Sequence, residues 1–274
     1  RALPKTSRRF PCPVPTGGMP MSQGSLSQGM SYQRMMRMPL LQCQSYWLAD
    51  PQAGLLETLY ECEPNPDPVQ LFEGTPFAAQ ANQSPLLFTL SANNGLAASL
   101  GKDPQKLSGL LITTQAPRAA LLDQLRGLLE ARFLQGRKAL LRYYDPRVAS
   151  YLLPTCTGDL QARWLGPISE ITWYGGTWVD EAEGNTQWHR LTHVQQAEIK
   201  VPSMPLSLND AQLQRLVDQG YEHFAWRWLA GHKGYEMTQV LDWIKAGMAA
   251  GHTEQKSLNA WLDSQTMVQG EQHG

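Results

Sequence analysis

Residues 109–148 read GLLITTQAPRAALLDQLRGLLEARFLQGRKALLRYYDPRV, and the change of texture along them decides the fold. The opening run Gly109-Leu-Leu-Ile-Thr-Thr114 is short and apolar, as a buried strand is. Leu121, Leu122, Leu125, Leu128, Leu129 and Phe133 then recur at one, three and four residues, the spacing of one helical face. Arg118, Asp123, Arg126, Glu130 and Arg132 take the rest of that surface, with Pro117 suited to the first turn and Gly136 to the stop. A strand over Lys138–Tyr143 follows. Asp145-Pro146 then opens a second helix, the carboxylate accepting from an N–H two or three residues on and the proline presetting the first turn. That helix should end where Pro154 removes a backbone donor. Upstream, Pro85–Leu90 reads as another buried strand and Asn93–Leu100 as a short helix closed near Gly101. Strand and helix alternate through about residue 175. The reading is an α/β or α+β amino-terminal lobe over residues 45–200, a mixed sheet with packed helices.

The carboxy-terminal part, residues 201–274, has another pattern. Leu213, Leu216, Val217, Tyr221, Phe224 and Trp228 have helical spacing, with Ser207 or Asn209 as cap and Gly231 as stop. Met237, Val240, Leu241, Ile244 and Met248 form a second stripe, and Leu258, Trp261 and Leu262 a third. This predicts a smaller, all-helical lobe, and about 60 residues is marginal for an independent core. Residues 1–44 differ again. Residues 1–49 carry six basic residues and no acidic one, leaving 17 basic against 24 acidic in the remainder. Six of the ten methionines and five prolines before residue 21 also fall there. Such a leader reads as a flexible tail, an artefact of the chosen start, or a partner-binding peptide. Met30–Leu41, its more apolar end, reads as a short docking segment.

Composition narrows the function classes. The formal net charge of −1 argues against a globally basic nucleic-acid binder, and no run approaches the roughly 18–20 apolar residues of a membrane span. Cys12, Cys43, Cys62 and Cys156 lack metal-ligand or redox spacing and read as reduced thiols of a cytoplasmic protein. His189 and His193, four apart, have the spacing of two metal ligands on one helical face. The Arg-Leu-Thr between them lacks the glutamate of a zinc protease, and no third ligand is evident. No Gly-x-Ser-x-Gly elbow, phosphate loop or dinucleotide fingerprint is present. The expectation is a binding protein without catalytic residues, cofactor or metal, against the alternative of a hydrolase with an unrecognised site.

The run Leu140-Leu-Arg-Tyr-Tyr-Asp-Pro-Arg-Val148, with Leu152-Leu-Pro154 and Trp164-Leu-Gly-Pro-Ile168 downstream, resembles the signature of a bacterial family. The family is the adaptor chaperones of the type VI secretion system, often called Tap or TEC proteins, which carry a domain long labelled as of unknown function. Leu59-Tyr60, Leu71-Phe72-Glu-Gly-Thr75, Ser84-Pro-Leu-Leu87 and Leu125-Arg-Gly-Leu-Leu129 stand in the order that family shows. The resemblance covers residues 46–175. It implies a cytoplasmic bacterial adaptor that binds a secreted toxin effector and loads it onto the VgrG spike, sometimes through a PAAR tip, with no nucleic acid and no membrane insertion. A baseplate subunit is the alternative. Two departures stand out: Gln124 replaces an expected His, and the basic leader is foreign to the pattern.

Two groups of candidate residues follow. Arg142, Tyr144, Asp145, Pro146, Arg147, Gly166 and Pro167 carry the resemblance, and Arg142 and Arg147 bracket one carboxylate as a structural knot. Trp173, Tyr174 and Trp178 surround Gly175-Gly176, which suggests a hairpin or a bend at a sheet edge. These rings are either a partner-binding surface or the closure of the first core. Trp226 lies about 160° from Phe224 and Trp228 in helical projection and is the fourth partner-binding candidate.

Overall fold

The computed structural model describes residues 30–41, 44–91, 95–133, 136–156, 163–184, 186–193 and 206–272. The chain divides into two compact units, one of residues 25–213 and one that includes residues 214–274. Cys12, Cys43, Asn93, Asn94 and the proline-rich leader before Met30 lie outside the described residues.

The larger unit is built on a seven-stranded sheet. In chain order its strands are β1 (Met30–Met35), β2 (Ser45–Ala49), β3 (Val69–Gln70), β4 (Leu86–Leu90), β5 (Gly109–Thr114), β8 (Ile168–Tyr174) and β9 (Trp188–His193). They lie in the order β1-β9-β8-β5-β2-β4-β3, and every neighbouring pair is antiparallel. The sheet is therefore of the α+β kind and not mixed. A smaller sheet is mixed: β6 (Glu130–Phe133) pairs antiparallel with β7 (Arg137–Leu140) and parallel with β10 (Leu206–Ser207).

All five residues of β2 and all six of β5 are buried, because helices cover both faces and solvent-side alternation is lost. On one face Trp47, Ala49, Phe88, Leu90 and Leu111 pack with Leu55 and Leu59 of α1 (Leu55–Cys62) and with Leu96 and Leu100 of α2 (Gly95–Lys102). Leu48, Leu110 and Trp173 stand opposite one another on the other face. There α4 (Pro146–Leu152) is tied to β8 by the Trp173 indole N–H, which donates to Ser150 Oγ at 2.7 Å.

Several local expectations shift. Helix α3 (Arg118–Gly127) stops well before Phe133, because Glu130–Phe133 turns back as β6 and pairs with Arg137–Leu140. The leucines at 121 and 125 are buried on α3, whereas Leu128 and Leu129 belong to the turn after it. The strand expected to run to Tyr143 ends at Leu140, leaving Arg142 and Tyr144 in a turn. Met30–Met35, expected in the leader, is an edge strand in register with β9. Between β8 and β9 the chain bends at Gly175 and Gly176 and inserts a short helix, α5 (Trp178–Glu183), opened by a capping box between Thr177 and Asp180.

The second unit follows the predicted stripes. Helix α6 (Asp210–Leu229) is capped by Asn209, whose side chain accepts from the Gln212 N–H at 2.9 Å while Gln212 Oε1 accepts from the Asn209 N–H. Tyr221, Phe224 and Trp228 of α6 bury against Val240, Ile244 and Met248 of α7 (Met237–Ala249) and Leu258 and Leu262 of α8 (Gln255–Gln272). Gly247 permits the close approach: a Cβ there would stand 2.6 Å from the Trp261 ring.

Gly176 has φ +106°, and a Cβ on it would lie 2.2 Å from the Pro146 carbonyl oxygen. Gly176→Ala therefore combines backbone strain with a clash against α4. We expect it to cost at least about 2 kcal/mol, read as a lower midpoint in urea unfolding; an unchanged midpoint would show that this bend tolerates a side chain.

Candidate functional site

The site lies at one end of the large sheet, where β2 finishes, β5 begins and β8 finishes. Asp50 follows β2, and its backbone N–H donates to the Ser108 carbonyl at 2.8 Å. Its side chain is buried, and Arg142 Nη2 donates to Asp50 Oδ1 at 3.0 Å. Arg142 reaches this point because the turn after β7 closes through Asp145 N–H on the Arg142 carbonyl at 3.0 Å. Asp145 caps α4 as the sequence predicts: Oδ1 accepts from the Arg147 N–H at 2.9 Å. Arg147 also grips the same carboxylate as a fork, Nε to Oδ1 at 3.0 Å and Nη2 to Oδ2 at 2.8 Å. Arg142 Nη2 lies 3.8 Å from Asp145 Oδ2, so two guanidiniums and two carboxylates form one alternating cluster.

Burial raises the Asp50 carboxyl above its ordinary range, and the neighbouring Asp145 adds to the effect, while Arg142 opposes both. The Tyr144 hydroxyl is pushed up to about 12, mainly by burial, and the Arg142 guanidinium sits 5.9 Å from its ring centroid. Tyr143 is fully buried and donates to the Leu125 carbonyl at 2.8 Å, fastening this turn to the end of α3.

Two clefts flank Arg142. The larger, about 520 Å³, is lined by Trp47, Asp50, Pro104, Arg147, Tyr174 and Glu181 among others. The smaller, about 330 Å³, includes Asn82, Gln83, Leu140 and Tyr144. Pro51, Gln52 and Arg142 border both.

The structure brings Arg142, Tyr144, Pro146 and Arg147 together at these clefts, with Asp145 buried behind them in its bonds to Arg147. Gly166 and Pro167 stand elsewhere, in the turn that leads into β8. Gly166 has φ +51°, and the Pro167 carbonyl accepts from Thr114 Oγ1 at 2.6 Å. Gln124, in place of the expected His, donates to the carbonyls of Arg163 and Trp164 at 2.6 and 3.0 Å and so serves this same turn.

Trp173 is a correction among the partner-binding candidates. It is 0% exposed on an interior strand, stacked on His189 at 5.4 Å. Tyr174 is half-buried, packs edge-on against Trp188 and borders the larger cleft. Trp178 is half-buried at the start of α5, and Trp226 is half-buried on α6 in the helical unit.

His189 and His193 lie on strand β9, not a helix, so four residues separate their backbones by roughly 13 Å. His189 is buried, with Nδ1 2.7 Å from the Tyr32 hydroxyl. Among the described residues no group of three or more His, Cys, Asp or Glu is placed to hold a metal, and no helix is long and apolar enough to cross a membrane. Sequence reasoning missed Asp50, Trp47, Asp180 and Glu181. Asp50 was the most accessible of these, an acid that ends an apolar strand.

Asp145→Ala removes the cap and leaves both guanidiniums facing a smaller set of acceptors. We expect a loss of about 1–3 kcal/mol, measured by chemical unfolding; an unchanged midpoint would deny the cluster its role in stability. Asp180 supplies a pH signature. Burial pushes its carboxyl up, but the His189 ring and the hydroxyl and N–H of Thr177 outweigh this and hold it at about 2. Because the folded value is depressed below the ordinary 3.8, its contribution is full above about pH 4 and lost as pH falls toward 2. Asp180→Asn should flatten the dependence of the melting temperature on pH between about 4 and 2; a slope equal to wild type would contradict this.

Comparison with known proteins gives one family. No curated protein and no solved structure matches the chain. Residues 45–163, under half of the chain, match a family described as a domain of unknown function, DUF4123.

Proposed function

We propose that this protein is an adaptor chaperone that binds a type VI secretion effector in the bacterial cytoplasm and helps load it onto the VgrG spike or a PAAR tip. The observation that carries this reading is the match of residues 45–163 to DUF4123, together with the Leu140–Val148 run inside it. The adaptor family that the run resembles carries a domain long labelled as of unknown function. The geometry supports a binding role. Leu140, Arg142, Tyr144, Pro146 and Arg147 of that run border two open clefts, with Tyr174 on the wall of the larger, while Leu141 and Tyr143 anchor the run in the core.

Adaptors act by holding a polypeptide, so the test is association. Co-expression with the product of a neighbouring toxin gene should give a complex that survives gel filtration, with the spike protein joining only when the toxin is present. Failure with every neighbouring product, or fixed stoichiometry in purified baseplates without a toxin, would overturn the reading. Trp226→Ala should weaken toxin capture at least tenfold, as an interface anchor does, and shift the melting temperature by less than about 3 °C. A large fall in melting temperature would place this ring in the core instead.

A further inference from the structure

The two clefts beside Arg142 are neighbours, since Pro51, Gln52 and Arg142 border both. Their volumes, about 520 and 330 Å³, fall within the range of clefts that hold a ligand. The charges facing the larger cleft are unequal. Asp50, Asp180 and Glu181 line it against Arg142 and Arg147. Arg147 has its fork on Asp145, a fourth carboxylate, and Arg142 Nη2 is on Asp50. The balance is negative, which repels an acid and favours a cation.

A second observation concerns donors. Among the described residues the Trp47 indole Nε1–H and the Arg142 Nε–H are buried and meet no acceptor, and both side chains line the larger cleft. Trp47 is 1% exposed. Buried donors are nearly always paired in native proteins, and an incoming carbonyl is the neutral acceptor that a negative cleft accepts. A main chain in extended form carries such carbonyls along its length.

We infer that this paired cleft holds an extended, lysine- or arginine-bearing segment of a polypeptide partner, its basic side chain toward the Asp50–Glu181 wall and its carbonyls toward Arg142 and Trp47. The inference rests on the adaptor reading only for the identity of the partner; the chemistry of the cleft is tested without it.

The full chain, labelled with ¹⁵N, is titrated with blocked pentapeptides carrying lysine, glutamine or glutamate at the centre. The reporter is the Trp47 indole resonance, assigned by its loss in Trp47→Phe. The lysine peptide should shift it saturably and bind at least tenfold tighter than the glutamate peptide. Glu181→Gln should weaken the lysine peptide at least threefold, whereas Glu183→Gln, on the same helix but outside the cleft lining, should leave it unchanged. Equal affinities for the three peptides, no shift at Trp47, or equal effects of the two variants would overturn the inference. A silent titration beside a stable toxin complex would remove the cleft assignment and leave the adaptor reading standing. A positive titration with no toxin captured would do the reverse.

Discussion

The Asp145 carboxylate holds three parts of the larger unit at once. It caps α4 through the Arg147 N–H, grips the Arg147 guanidinium as a fork, and stands close to Arg142, which is itself tied to Asp50 at the end of β2. Two of these residues lie 92 positions apart in sequence, so the cluster is a long-range tie as well as a local cap. A carboxylate in this position is constrained by geometry: a longer side chain would move the fork away from the cap, and an amide would lose one of the charge-assisted bonds. The clefts on either side of Arg142 inherit their walls from this arrangement.

The helix α4 that Asp145 begins is also what covers the Trp173 face of the sheet. Its packing depends on Ser150, which accepts from the Trp173 indole and donates to the Gly175 carbonyl at 2.7 Å each. A single hydroxyl thus couples the helix, an interior strand and the bend that follows it. Glu170 and Arg190 make an ion pair on the opposite face, across the β8–β9 pair. The sheet therefore carries paired polar groups on both sides of an apolar centre.

Much of this was legible in the sequence, and the reasons differ by element. β5 and the α4 cap were readable because their signals are local: a run of apolar residues in one case, Asp-Pro in the other. The helical stripes of α6, α7 and α8 were readable because 3.6-residue spacing extends over many turns. The end of α3 was not, since Leu128, Leu129 and Phe133 continue the helical spacing by chance while the pairing of Glu130–Phe133 with Arg137–Leu140 sets the backbone. Trp173 was ambiguous for a related reason. An aromatic beside glycines fits an edge or a centre equally well, and only the placement of β9 and β1 beyond β8 decides between them. Of the candidate site, the Arg142–Arg147 cluster was visible and its counterpart Asp50 was not, because no spacing rule links a strand end to a turn 92 residues later.

The order of strands has a consequence for anyone who cuts this protein. The stretch that matches DUF4123 ends at residue 163, yet β8 and β9 begin at Ile168 and Trp188, and β1 precedes residue 45. A fragment trimmed to those limits would keep β2, β3, β4 and β5 and discard the three strands beyond β5. Its newly bared margin would be Leu110, Leu111 and Ile112, an apolar ladder of unpaired amides and carbonyls inviting other chains to stack on it. The recognisable region and the foldable one are thus different lengths of chain, and a soluble expression product needs the longer.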